Sequence, residues 1–184
     1  MKKLLSLFLL STSCFANAMS LSIEHFVSKN TFTVERAGVS SDIDNDSSGV
    51  AIKLGFESKS PVTPFIEYRN ESFDLGIYDQ NNDSLNYFSI GMLKDFKVSE
   101  KFMPYIQGSV GLGFMDISGY ENDTANAIGT KVGGGLAYYL TENVRLHAGV
   151  DAQYRVWSSI ETSTGDLDIN DTSFVWNIGA TYKF

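Results

Sequence analysis

The stretch that decides the fold is Phe174–Phe184, F-V-W-N-I-G-A-T-Y-K-F. Side chains of an extended strand alternate between its two faces. Phe174, Trp176, Ile178, Ala180, Tyr182 and Phe184 therefore share one face, and Val175, Asn177, Gly179, Thr181 and Lys183 the other. The first face is apolar with aromatics at both ends; the second is mixed.

Working back, Val144–Trp157 repeats the pattern. Val144, Leu146, Ala148, Val150, Ala152, Tyr154 and Val156 fall on one face, and Arg145, His147, Gly149, Asp151, Gln153 and Arg155 on the other. Such alternation excludes a buried parallel strand, which is apolar on both faces, and a helix, around which these charges would wrap. Further period-two segments are predicted near Leu21–Glu35, Gly49–Ser58, Pro64–Tyr78, Leu85–Phe96, Tyr105–Ser118 and Ile128–Leu140, giving eight strands. Most exceed the roughly 9–11 residues that a tilted strand needs to cross a bilayer. His25 and Asn70 would face lipid on strict alternation, so bulges are expected there.

Eight amphipathic strands ending on an apolar-faced strand with a terminal Phe resemble the small bacterial outer-membrane β-barrel family, the OmpA/OmpX-like, porin-type barrels. The resemblance implies an all-β fold: an eight-stranded antiparallel up-and-down transmembrane β-barrel. It also implies that Tyr182 and Phe184 form the signal read by the barrel-assembly machinery. An even strand count puts both termini on the periplasmic side. Trp157, Phe174 and Trp176 fit an outer aromatic girdle, and Tyr138, Tyr182 and Phe184 an inner one.

The N-terminus agrees. Lys2 and Lys3 precede an apolar run, Leu4–Leu10, and Ala16-Asn17-Ala18 supplies a small-x-small cleavage site. Residues 1–18 thus read as a signal peptide and 19–184 as the barrel domain. The apolar run is too short to span as a helix. Cys14 does not make a lipobox, because Ser11 stands where an aliphatic residue belongs. Cleavage removes that sole Cys, which suits an oxidising periplasm. It leaves no length for a second, peptidoglycan-binding domain.

The connections fall into two sets. Ser58–Pro64, Lys97–Pro104 and Thr141–Asn143 are compact and hold all three prolines. Ala37–Ser48, Asp79–Ser84, Gly119–Asn126 and Ser158–Asp171 are rich in Asp, Asn, Ser and Gly. The first set is expected to be periplasmic turns and the second four extracellular loops. Fourteen basic residues, two of them in the leader, against 22 acidic ones leave the mature chain at −10. The loops carry Asp42, Asp44, Asp46, Asp79, Asp83, Glu121, Asp123, Glu161, Asp166, Asp168 and Asp171, and no Lys or Arg. A rim this acidic argues against nucleic acid or anionic lipid as a direct partner. Outer-membrane lipid and lipopolysaccharide remain as surroundings, the latter approached through bridging divalent cations.

On the polar faces, Lys53, Arg69, Lys131, Arg145 and Arg155 are set against Glu24, Glu57, Glu67, Glu71 and Asp151, with His147 among them. Equal numbers of each sign are what a closed interior needs, since an unpaired buried charge is costly. An eight-stranded barrel is only wide enough for its side chains to fill it or to hold a small ligand. These residues are therefore expected to form a polar network in the lumen.

Motifs that would carry other chemistry fail. Gly108–Gly113 and Gly133–Gly135 lack the spacing and following helix of a phosphate-binding loop; they read as room for large lumen side chains. Asp151 lies about 13 Å along the strand from His147, too far for a direct pair. The His-x-Ser element of barrel deacylases is absent at His25 and at His147. Asp42–Asp46 opens like a calcium loop, but Ser47 and Lys53 stand where Gly and an acid are required. Asp168–Thr172 matches an acidic-x-Asn-x-Thr glycosylation acceptor at Asn170. No cofactor or metal site is expected, and no enzyme. The reading is a non-enzymatic surface barrel serving envelope integrity or surface interaction through its loops. A narrow channel and a lipid A-modifying enzyme are the alternatives.

Overall fold

In the computed structural model the described residues are 18–36, 38–57, 61–73, 83–116, 124–158, 160–162 and 165–184. They form β1 (Ala18–Arg36), β2 (Val39–Glu57), β3 (Val62–Phe73), β4 (Asp83–Asp95), β5 (Phe102–Asp116), β6 (Thr124–Tyr139), β7 (Val144–Trp157), β8 (Ile160–Thr162) and β9 (Gly165–Lys183). β1 to β7 and β9 are eight antiparallel strands, each bonded to its neighbour in sequence, and β1 pairs with β9 to close the barrel. β8 is a short strand folded back on the start of β9. No helix occurs among the described residues.

The alternation sorts as its chemistry requires. Along β9, Phe174, Trp176, Ile178 and Tyr182 are exposed on the outside while Val175, Asn177 and Thr181 are buried inside. Along β7, Leu146, Val150, Tyr154 and Val156 face out, and Arg145, His147, Asp151, Gln153 and Arg155 are buried. Closure leaves no free edge around the belt, so the backbone groups are paired where no water can reach them. At the termini end the connections are tight. Phe96 N–H donates to Pro104 O at 2.8 Å, and Leu140 N–H to Val144 O at 2.9 Å.

The structure corrects four expectations. Val39–Ser48, read as loop, is strand, paired residue for residue with Val27–Arg36. Gly165–Asp171, read as loop, is the start of β9, where Asp168–Asp171 pair with Phe32–Glu35. Both errors have one cause. Beyond the membrane a strand meets water on its outer face and needs no apolar residues there, so a polar composition no longer signals a turn. Thirdly, no bulge occurs at His25 or Asn70: their ladders run unbroken, His25 opposite Val50 and Ile178, and Asn70 opposite Asn86. A one-residue slip would turn every side chain of the strand over, so one polar residue cannot shift the register. Fourthly, Trp157 is not in the girdle. It is buried inside, at 6% exposure.

β1, β2 and β9 are the longest described strands, with 19 residues each. At the end away from the termini they pair as a three-stranded ribbon, Val39–Ser41 of β2 and Asp168–Ile169 of β9 flanking the end of β1. Its outer face carries Thr31 and Thr33, whose hydroxyls donate to Asp44 and Asp42 at 2.9 and 2.8 Å.

Candidate functional site: the filled lumen

The interior is built in layers. Nearest the termini, Phe65, Leu93, Tyr105 and Ala137 pack together. Beside them Arg145 Nη1 donates to both oxygens of Asp95, at 3.1 and 3.0 Å, and its Nε to Thr181 Oγ1 at 3.3 Å. A void of about 20 Å³ lies here, lined by Ser20, Lys53, Phe65, Asp95 and Arg145 among others. That is room for about one water.

Next comes an ionic layer. Lys53 Nζ stands 2.8 Å from Glu24, 3.5 Å from Glu67 and 3.0 Å from Gln107 Oε1. Lys131 Nζ lies 2.6 Å from Glu67. His147 shares a 3.0 Å hydrogen bond with Glu24 through Nε2, and its Nδ1 is 3.4 Å from Thr181 Oγ1. Asp151 accepts from Gln107 Nε2 and Asn177 Nδ2 at 2.8 and 3.0 Å. An apolar spacer of Phe26, Ala51 and Val175 follows. Arg69 lies over the Phe26 ring at 4.0 Å and donates to Gln153 Oε1 at 2.7 Å.

A second ionic layer centres on Arg155, which is fully buried. Its Nε donates to both oxygens of Asp171 at 2.9 and 3.0 Å, and its Nη1 to Glu71 Oε2 at 2.7 Å. Asp171 also accepts from Trp157 Nε1 at 2.7 Å and Ser173 Oγ at 2.9 Å. Glu71 accepts from Ser47 Oγ at 2.6 Å, which in turn accepts from Asn30 Nδ2 at 2.9 Å. Above this, Phe32, Phe73, Leu85, Tyr87, Met115 and Trp157 form an apolar cap with Ala125 and Ala127. Phe32 meets Phe73 edge-on at 5.7 Å and Trp157 at 6.3 Å.

Glycines make the filling possible. A Cβ on Gly129 would lie 2.7 Å from Arg155 Cγ, and one on Gly179 2.8 Å from both Glu24 Cγ and His147 Nε2. Those contacts are closer than such atoms tolerate, so Arg155, Glu24 and His147 each lean over a bare cross-strand partner, Gly129 or Gly179.

Lys53, Glu67, Arg69, Glu71, Lys131, Arg145, His147, Asp151 and Arg155 thus lie together inside the barrel. The side chain of Glu57 lies outside the described residues, as does Ala16 of the expected cleavage site; Ala18 opens β1. Tyr182 and Phe184 sit on the outer face, ring centroids 5.0 Å apart, and Phe184 N–H donates to Met19 O at 2.8 Å. Asn170 lies within β9, opposite Thr33 and Val156. Sequence reading missed Asp95 and placed Asp171 on the rim. Asp95 shares parity with the inward Leu85, Tyr87 and Leu93, a signal that could have found it. Among the described residues no group of three or more His, Cys, Asp or Glu is placed to hold a metal ion.

The architecture has relatives. A family model described as the OprF membrane domain matches residues 74–170. The chain belongs to that family. It is an outer-membrane β-barrel of the OprF/OmpA-like kind. Neisserial surface protein A is 17% identical with a TM-score of 0.57, the match covering 89% of this chain and 97% of that one. The N-terminal barrel of OprF from Pseudomonas aeruginosa is 18% identical at TM-score 0.50, covering 90% and 97%. OprG of Pseudomonas aeruginosa is 10% identical at TM-score 0.55, covering 91% and 96%. At these identities the likeness is one of fold. No curated protein matches the chain.

Proposed function

We propose that this OprF-family barrel is a non-enzymatic outer-membrane protein that serves envelope integrity or surface interaction through the end opposite its termini. The observation that carries this reading is the filled lumen. Arg155, at 0% exposure, is fixed between Glu71 and Asp171 beneath an aromatic cap, and a second apolar cluster closes the other end. A solute path would have to break both ionic layers. His147 is engaged with Glu24 inside the barrel, and His25, on the membrane face, has Val50 and Ile178 as cross-strand neighbours. His147 does lie between the Glu24 carboxylate and the Thr181 hydroxyl, but all three are buried inside the barrel, away from the lipid face.

In this reading residues 1–18 are removed on export and both termini are periplasmic. The tight turns at the termini end and the acidic ribbon at the other support that orientation. Phe184 and Tyr182 guide assembly by the barrel-assembly machinery. Planar-bilayer recordings of the purified barrel should show no steps above the lipid background, and lipid A from deletion and overexpression strains should have the same mass spectrum. Steady conductance would replace the reading with a channel; a changed acyl pattern would replace it with an enzyme.

A further inference from the structure

The outer surface carries a feature that a plain lipid-facing belt does not need. Between β2 and β6 lies an apolar groove of about 730 Å³, its walls including Ile52, Ile66, Tyr68, Phe88, Val110 and Leu112. Pockets of roughly 300–1,000 Å³ are the size in which proteins hold small molecules. Tyr68 and Phe88 pack at 5.0 Å along one side.

At the groove's edge stands a polar cluster. Asn70 and Asn86 are directly opposite each other on β3 and β4, and both face outward. Asn86 Oδ1 accepts from the Tyr68 hydroxyl at 2.7 Å and from Asn70 Nδ2 at 3.2 Å. The row containing them runs through Val50 to His25 on one side and through Phe114 to Asn126 on the other, so apolar and polar outward residues alternate in it. The next outward residues toward the rim are Ser72 and Ser84. The cluster therefore marks the level at which hydrocarbon gives way to the linkage region of a lipid. Both acceptor bonds fall on Asn86 Oδ1. The amide group of Asn86, the second N–H of Asn70 and the carbonyl of Asn70 are left to a partner from outside. An unmatched amide at the edge of hydrocarbon is costly.

We propose that this groove and cluster form a binding site for one acyl chain of an outer-leaflet lipid, with the chain in the groove and its linkage on Asn70 and Asn86. The cluster offers donors and an acceptor together. An ester carbonyl can only accept, whereas a hydroxyl or amide at the base of the chain both donates and accepts. The site therefore selects the hydroxyacyl amides of lipopolysaccharide over glycerophospholipid esters. Its place in the outer leaflet rests on the orientation proposed above; its chemistry does not.

The test uses the purified full barrel in mild detergent, titrated with rough lipopolysaccharide or phosphatidylglycerol and read by native mass spectrometry. Wild type should retain lipopolysaccharide in preference to phosphatidylglycerol. Asn70→Leu with Asn86→Leu should lower lipopolysaccharide retention about tenfold, the worth of a hydrogen bond lost in apolar surroundings, and lower phosphatidylglycerol retention less, since an ester only accepts. Val110→Trp, which fills the groove, should lower it with the amides intact. Tyr68→Phe, which keeps the ring and removes one bond, gives a milder loss and stands in should the double variant not fold. Equal retention by wild type and the Asn variants overturns the proposal. So does equal retention of the two lipids by wild type, or a dimer whose contact Val110→Trp abolishes, which would assign the groove to a second copy of the chain. Detergent has no leaflets, so failure here is failure of the site. An inverted orientation would show separately, as loss of surface labelling on intact cells.

Discussion

Arg155 and Asp171 form an ion pair in the centre of the barrel, Nε donating to both carboxylate oxygens at 2.9 and 3.0 Å, with neither residue exposed at all. Removing one member of such a pair strands the other in a dry interior. Arg155→Ala, which also deserts Glu71, should cost about 3–5 kcal/mol. Urea or guanidinium titration in micelles, followed by the gel shift of the unheated barrel, would register it as a lower midpoint. An unchanged midpoint would mean that water enters this layer.

Arg145 should matter less. Its partner Asp95 keeps 24% of its side chain exposed near the open end of the void. Arg145→Ala is expected to cost about 1–3 kcal/mol, the worth of hydrogen bonds to a charged group that water can partly replace. The same titration should rank it above wild type and below Arg155→Ala in loss of stability. A larger effect than at Arg155 would contradict the burial order of the two layers.

Gly129 is predicted to be intolerant of any side chain. A Cβ would meet Arg155 Cγ at 2.7 Å and Tyr87 Oη at 3.0 Å, within a wall that cannot retreat. A Cβ would also lie 2.7 Å from the Tyr154 carbonyl oxygen, which is backbone. Gly129→Ala should therefore lower the yield of folded barrel, whereas Gly108→Ala, whose Cβ meets only the Lys131 carbonyl oxygen at 3.7 Å, should not; equal yields would place the constraint elsewhere.

Phe184 tests the closing strand. Its ring sits on the outer face at 69% exposure, paired edge-on with Tyr182. Deleting it, or changing it to Asp, should reduce heat-modifiable barrel in the outer membrane while the exported chain is still processed. Lys183→Gln removes a cation–π contact with Tyr139 at 5.4 Å, about 0.5–1 kcal/mol at an exposed site, and leaves the apolar outer face intact. The two amounts, read by immunoblot of outer-membrane fractions, should differ clearly in that order.

Orientation is tested by epitope tags in residues 79–82 and 163–164, which should be labelled on intact cells. A tag at Asp171 should instead prevent folding, because that carboxylate is the anchor of Arg155. Labelling at the first two sites only after permeabilisation would reverse the proposed topology.

Alternation alone was enough to sort Phe174–Phe184 and Val144–Trp157 into their two faces, because each side chain there meets either hydrocarbon or the lumen and nothing between. It lost its force at Val39–Ser48 and Gly165–Asp171, where water lies on the outer side and composition stops reporting backbone state. Trp157 was placed in the girdle by its position near a strand end, although its parity with Arg155 put it inside. The partners across the barrel were not legible at all. Arg155 meets Glu71 84 residues away, and Lys131 meets Glu67 64 away. Such meetings depend on how far the sheet is staggered when it closes, which no local pattern encodes.

The strand order sets two kinds of surface side by side. On β2 an approaching anionic headgroup meets Asp42, Asp44 and Asp46, all exposed; on the adjoining β3 and β4 it meets Asn70 and Asn86 with an apolar trough beneath them. The outer surface is therefore not the same all round, and its neighbours, lipid or protein, are sorted by the side from which they come.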